Sequence, residues 1–108
     1  MHESPIVCRL DALSPQDRMR HAALAGRIGP SARRIEELPG GYAFQFPDDP
    51  SLSRTVLEWV ALERRCCPFL EFEIVLGDEG EPVVLRLTGR EGVKAFLEKE
   101  LSIGRSDS

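Results

Sequence analysis

Three stretches of this chain alternate apolar and polar residues with a period of two, and turn sequences join these three and a fourth stretch, residues 32–38, in pairs. Such alternation predicts β-strands that bury one face and leave the other in water. The two turn sequences are Pro39-Gly40-Gly41 and the stretch from Gly77 to Pro82. Residues 32–38 form the first predicted strand of the four, and the apolar positions of the others are Tyr42, Phe44, Phe46, Leu70, Phe72, Ile74, Leu76, Val83, Leu85 and Leu87. Two hairpins of this kind strongly favour an antiparallel sheet.

Three helices are predicted around these hairpins from their start and stop signals. Ser14-Pro15 and Asp49-Pro50 each place a side-chain oxygen at the N-cap position and a proline in the first turn. A capping box from Thr88 to Glu91 predicts the start of the third helix. The predicted stop signals are Gly29-Pro30, Pro68 and Gly104, and a weaker strand over Ile6, Cys8 and Leu10 is predicted before the first helix.

The predicted element order is therefore β-α-ββ-α-ββ-α, which belongs to the α+β class. We expect a two-layer sandwich with a largely antiparallel sheet and the helices on one face. A length of 108 residues corresponds to a single domain over residues 1–108, with residues 1–4 and 104–108 as frayed tails.

Charge and hydropathy exclude several classes of function. The net charge of −4 argues against binding of nucleic acid or of an anionic membrane surface without help. The longest apolar runs have only three or four residues, as in Ile74 to Leu76, whereas a membrane span needs roughly 20. The N-terminus has no pattern of a secretory signal, so we expect a cytoplasmic protein with reduced cysteines.

The end of the second predicted helix carries the main chemical signal of the sequence. On a helical wheel, Glu63 lies on the apolar side together with Cys67, and Cys66 lies on the flank of that side. A carboxylate one turn before two thiols indicates a site for a soft metal ion such as zinc, copper(I) or mercury(II). The alternative is structural, because free cysteine is among the most buried residue types and packs as a small apolar side chain.

The position of the Cys66–Cys67 pair limits the chemistry that it can perform. The C-terminal end of a helix disfavours a thiolate, which argues against a catalytic nucleophile and leaves no defensible catalytic residue. Adjacent side chains on an intact helix diverge by about 100°, so joint binding of one ion requires the last turn to unwind. Pro68 favours this unwinding, because a proline disfavours the helical conformation of the residue before it.

Two further residues are candidates for additional ligands. Cys8 is in phase with Ile6 and Leu10, so its other interpretation is that of a core residue. His21 lies beside Leu24 on the wheel and four residues after Asp17, and the favoured interpretation is a surface histidine that contacts this carboxylate. The predicted metal ligands are therefore Cys66, Cys67 and Glu63, with Cys8 as a possible fourth.

Three segments of the chain together resemble a known group of proteins. Residues 63–70 read E-R-R-C-C-P-F-L, residues 85–97 read L-R-L-T-G-R-E-G-V-K-A-F-L, and residues 38–47 read L-P-G-G-Y-A-F-Q-F-P. This chain resembles short bacterial proteins of unassigned function that share an E-R-x-C-C-P-F-L segment and a closing L-x-L-T-G-x-E-G-x-K-x-F-L segment. Some of these lie near heavy-metal resistance genes, so the resemblance implies a thiol site for metal but no established activity.

Three functional hypotheses follow from the sequence. The first is a small cytoplasmic protein that binds a soft metal ion through Cys66 and Cys67. The second is a non-catalytic interaction domain with structural cysteines, which uses a free sheet edge to form a homodimer. The third is a thiol redox switch, which the position at a helix C-terminus makes the least favoured.

Overall fold

A computed structural model describes residues 6–101 of the chain. Within this range the helices are α1, Pro15–Ile28, α2, Pro50–Cys66, and α3, Val93–Glu100. The strands are β1, Arg34–Leu38, β2, Gly41–Phe46, β3, Glu71–Leu76, and β4, Val83–Thr88. Short 3₁₀ turns occupy Leu10–Ala12 and Gly29–Ser31. The predicted stop signal at Gly104 and both predicted tails lie outside the described residues.

The four strands form one antiparallel sheet in the order β1-β2-β4-β3, as the α+β prediction requires. Phe44 and Ile74 both pair with Leu85, so the apolar positions of neighbouring strands share one face. The apolar residues of this face join those of the three helices in a single buried core. On the opposite face, Glu73 and Arg86 form an exposed ion pair at 3.3 Å. The prediction of helices on one face and water on the other is therefore confirmed.

The starts of α1 and α2 are those that the sequence predicts. The Ser14 side chain accepts a hydrogen bond from the backbone N–H of Asp17 at 3.1 Å, and Pro15 opens α1. Asp49 caps α2 in the same way, since its carboxylate accepts from the backbone N–H of Ser51 at 3.0 Å. These caps satisfy N–H groups that the helix itself cannot bond.

The predicted capping box of α3 is wrong. Thr88 is the last residue of β4 and pairs there with Gly41 and Glu71, so it does not cap a helix. The helix begins instead at Val93, directly after Gly92, whose φ of +98° lies in the left-handed region. Glycine reverses the chain at this point without the steric penalty that a side chain would meet.

The predicted strand over Ile6, Cys8 and Leu10 is also wrong. The segment does not join the sheet, and Leu10 begins a 3₁₀ turn. Ile6 and Cys8 pack against the core from its edge, while Val7 between them is exposed. Alternation over only three apolar residues therefore indicates that one side of the segment is buried. It does not show that the segment pairs with another strand. The consequence for function is that this segment crosses the end of α2.

Candidate metal centre

Helix α2 ends in a conformation that brings its two thiols together. Cys66 is the last helical residue, and Cys67 has φ −127° and ψ 68°, outside the helical region, as expected before Pro68. The backbone N–H of Cys67 still bonds to the carbonyl of Glu63 at 2.8 Å, which closes the last turn. The two Sγ atoms lie 3.9 Å apart, and both residues are fully buried. Cys67 leaves the helical conformation as predicted, but the last turn itself does not unwind, because this hydrogen bond is kept.

Glu63 is a buried carboxylate whose main partner comes from another helix. Glu63 is only 8% exposed, and its Oε1 atom lies 2.6 Å from Nε2 of His21 on α1. The thiol of Cys66 also points to this oxygen, at 3.7 Å. A carboxylate removed from water needs such partners, because burial of an unpaired charge is strongly unfavourable. The anomaly on the helical wheel is thus explained by a contact between α1 and α2.

The prediction of His21 as a surface histidine beside Asp17 is wrong. Its side chain is only 17% exposed, because it lies between α1 and α2 and faces Glu63. The ring stacks against Trp59, with the ring centres 6.0 Å apart and an angle of 23° between the planes. Asp17 instead accepts a hydrogen bond from Arg65 at 3.2 Å. The structure therefore favours the other interpretation of His21, that of a candidate ligand.

Cys8 reaches the same place from the N-terminal segment. The backbone N–H of Arg9 donates to the carbonyl of Cys66 at 2.7 Å, which fixes the segment across the end of α2. Sγ of Cys8 lies 2.8 Å from Sγ of Cys67, and the Cys8 residue is partly buried. The hydrogen bond from Arg9 satisfies the carbonyl of Cys66, which has no partner within the helix. All four predicted ligands, Cys8, Glu63, Cys66 and Cys67, therefore converge.

The electrostatics of the site keep the thiols protonated at neutral pH. Burial, and then the negative charge of Glu63, raise the pKa of Cys66 to about 11. Burial and the contact with Cys8 raise the pKa of Cys67 far above its ordinary range. Burial also raises the pKa of Cys8. Protonated thiols are weak nucleophiles, so the arrangement does not suit covalent catalysis. A bound metal cation, in contrast, would supply the nearby positive charge that stabilises the thiolate form of these cysteines.

The distances can be compared with those around a tetrahedral ion. With zinc–sulfur bonds of about 2.3 Å, neighbouring ligand atoms lie about 3.8 Å apart. The separations of Cys66 Sγ from Cys67 Sγ, 3.9 Å, and from Glu63 Oε1, 3.7 Å, match this edge. The contacts of Glu63 with His21, 2.6 Å, and of Cys8 with Cys67, 2.8 Å, are shorter by about 1 Å. Binding of one ion by all five side chains would require these two pairs to separate.

Three donors of different chemistry, a histidine, a carboxylate and a thiol, lie close to one another. The donor atoms of His21, Glu63 and Cys66 all lie within 4.8 Å of one another. They come from two helices that pack against each other along their lengths. Sulfur, imidazole nitrogen and carboxylate oxygen are the donors that zinc accepts in proteins. A group of this kind, partly closed off from water, has the composition of a metal site.

Comparisons with protein-family models, with curated proteins and with solved structures found no match to this chain. Among residues 6–101, none of the helices combines the length and the apolar character that crossing a membrane requires. The functional argument therefore depends on the geometry of the site.

Proposed function

We propose that this protein binds a soft metal ion at the end of α2, with Cys66 and Cys67 as the central ligands. The observation that carries the proposal is the convergence of Glu63, Cys66 and Cys67 with two donors from other segments, His21 and Cys8. Chance burial of a thiol explains one cysteine in the core. It does not explain five side chains with metal-binding atoms that form one continuous chain of contacts.

The ligand set differs between metals. Zinc takes four ligands of mixed type, so it recruits His21 or Glu63 besides the thiols. Copper(I) and mercury(II) favour thiolates and need fewer ligands, so they bind through two or three of the cysteines alone. A cytoplasmic protein with such a site would sequester a toxic ion or buffer an essential one, which agrees with the resemblance to proteins found near heavy-metal resistance genes.

The test is a competition titration of the reduced protein with zinc(II), copper(I) and mercury(II) against a chelator of known affinity. We expect one ion per chain, and at least a tenfold loss of affinity for every metal in Cys66→Ser. Glu63→Gln is expected to lower the affinity for zinc only. Its matched control is Glu58→Gln on the exposed side of the same helix, where Glu58 pairs with Arg20. The proposal is refuted if the wild type binds no metal more tightly than a variant with all three cysteines changed to serine.

A second candidate function is a thiol redox switch, which the contact between Cys8 and Cys67 favours. A hydroperoxide would take two electrons and two protons from these thiols, and the products would be a disulfide, an alcohol and water. Peptide mapping by mass spectrometry after mild peroxide treatment tests it. A Cys8–Cys67 disulfide formed before any other oxidation supports the switch. Oxidation that begins at Cys66, or three unmodified thiols, contradicts it.

A further inference from the structure

All three cysteines of the chain lie together at the end of α2. Sγ of Cys67 contacts the other two sulfur atoms, at 2.8 Å from Cys8 and 3.9 Å from Cys66. Cys66 and Cys67 are fully buried, and Cys8 is partly buried on the segment that crosses the helix end. A linear two-coordinate ion needs one sulfur atom fewer, and a zinc site made of sulfur alone needs one more. The number of thiols therefore fits a ligand that takes three of them.

The charges around the sulfur atoms limit which centre all three can hold. Oε1 of Glu63 lies 3.7 Å from Sγ of Cys66, and Oε1 of Glu100 lies 3.9 Å from Sγ of Cys8. The neighbouring basic residue Arg65 is exposed and forms an ion pair with α1 instead. Three thiolates around a divalent ion keep one excess negative charge, which is strongly unfavourable when buried beside carboxylates. A trivalent centre leaves the three-sulfur complex without net charge.

We infer that the three cysteines bind a trivalent metalloid, which arrives as its uncharged hydroxide, arsenous acid, As(OH)₃. Arsenic(III) is a soft centre that takes three sulfur ligands in a pyramid and keeps a lone pair in the fourth direction, so it needs no nitrogen or oxygen donor. Three As–O and three S–H bonds break, and three As–S bonds form. Each hydroxide leaves as water with one thiol proton, and no electron is transferred. The inference rests on the proposed function, because it uses the same thiols.

This complex requires only one contact of the site to open. His21 and Glu63 keep their contact of 2.6 Å, because neither is a ligand of the metalloid. Around a pyramidal centre the sulfur atoms lie closer together than the roughly 3.8 Å of a tetrahedral zinc site, so Cys66 and Cys67, at 3.9 Å, need only a small approach. Cys8 must move away from Cys67, and its place outside the helices and strands allows this movement.

The test is a titration of metal-free protein with sodium arsenite and, separately, with zinc(II). The reductant is a phosphine, because a dithiol would itself bind arsenic. We expect one arsenic atom per chain. Native mass spectrometry identifies the ligands, since a three-sulfur complex adds one arsenic atom and loses three hydrogen atoms, whereas a two-sulfur complex keeps one hydroxide. Arsenate, the pentavalent anion, is the ligand control and should not bind.

Cys8→Ser separates the metalloid from zinc. Cys8 is partly buried and lies outside the helices and strands, so the fold should survive the change, which circular dichroism verifies. We expect at least a tenfold loss of arsenite affinity and a two-sulfur complex, because the third thiol binds as an intramolecular ligand. The affinity for zinc should fall much less, since Glu63 and His21 serve in place of Cys8. Glu58→Gln, at the exposed pair with Arg20, is the control for both ligands.

The outcomes separate this inference from the proposed function. The inference is overturned if Cys8→Ser binds arsenite as tightly as the wild type, or if the wild-type complex keeps a hydroxide. Binding of zinc without binding of arsenite would also overturn it, and would leave the proposed function standing. If the protein binds neither arsenite nor any of the metal ions, both are wrong.

Discussion

The contact between His21 and Glu63 gives a sharp prediction about stability. His21→Leu keeps an apolar side chain of similar size against Trp59 but removes the partner of a buried carboxylate. Glu63→Leu removes the carboxylate instead and leaves an imidazole that is partly accessible to water, with its side chain 17% exposed. The double variant removes both polar groups. We expect the first single variant to be the least stable of the three.

The magnitude follows from the geometry of the contact. A hydrogen bond to a charged group contributes about 1.5–3 kcal/mol to stability, and the Nε2–Oε1 separation of 2.6 Å places this one among the strong ones. For a chain of 108 residues, His21→Leu should therefore lower the free energy of unfolding by about 2 kcal/mol and Tm by about 8 °C. In the double variant neither polar partner of this contact remains. We expect it to lie within about 1 kcal/mol of the wild type, because apolar replacement of both partners is often nearly neutral.

The assay is urea unfolding of reduced, metal-free protein, followed by circular dichroism. Fluorescence of Trp59 is less suitable, since its ring touches His21 and the native signal changes with the substitution. The control is Arg20→Leu, which removes a pair between the same two helices, Arg20 with Glu58 at 2.7 Å, where both side chains are about half exposed. Its effect is expected to be much smaller.

The reasoning is refuted if the double variant is as unstable as the sum of the two single variants. Independent effects would mean that His21 and Glu63 do not stabilise each other, and that the burial of Glu63 has some other cause. An effect of Arg20→Leu equal to that of His21→Leu would also contradict it, since burial would then not determine the strength of the contact.

Three further predictions concern other parts of the molecule. The pKa of Cys66 is raised to about 11 from an ordinary 9.0, so the rate of its alkylation in native apoprotein should still rise above pH 9. The contribution of Cys66 to the free energy of unfolding is lost as the pH rises from 9.0 to about 11. Half-maximal alkylation near pH 8.5 would contradict this prediction. Gly41→Ala would place a Cβ 1.9 Å from a backbone oxygen of β4, so thermal unfolding should show that the free energy of unfolding falls by at least about 2 kcal/mol. Gly26→Ala on helix α1 is the control, because its Cβ meets nothing within 4 Å and the substitution should stabilise the protein. The phenol of Tyr42 donates to Glu98 at 2.5 Å, so ultraviolet titration of this single tyrosine should give a pKa of about 12, and Glu98→Gln should bring it closer to 10.0.

The sequence predicted the parts of the fold that depend on local chemistry. Ser14 and Asp49 form their caps within a few residues, and β4 alternates between buried and more exposed residues over its full length. The errors fall where a local pattern competes with a tertiary contact. Thr88 looks like a cap but belongs to a strand, and the N-terminal segment alternates like a strand but packs on a helix end. Local periodicity does not show which surface covers a buried side.

The candidate site was predicted in part for a similar reason. Glu63 was anomalous on its own helix, and Pro68 indicated that Cys67 would leave the helical conformation, as it does. His21 was interpreted from α1 alone, and there it has an ordinary neighbour in Asp17. The sequence did contain a signal for this contact, because Glu63 on the apolar side of α2 and His21 beside the apolar residues of α1 are both anomalous. A carboxylate on the apolar side of one helix requires a donor from a neighbouring element. Recognition of His21 thus needed the packing of α1 on α2, which no single helix reports.

The charge of the site also determines how many protons the protein must release when it binds a metal ion. The thiols lie at the negative end of α2 and beside Glu63, and the pKa of Cys66 is about 11, so each cysteine that binds the ion must release a proton at neutral pH. Calorimetric titration in buffers of different ionisation enthalpy counts these protons. Zinc held by Cys66, Cys67, Glu63 and His21 should release about two, and mercury(II) held by all three cysteines about three. Binding without proton release would exclude the thiols as ligands and would contradict the proposed site.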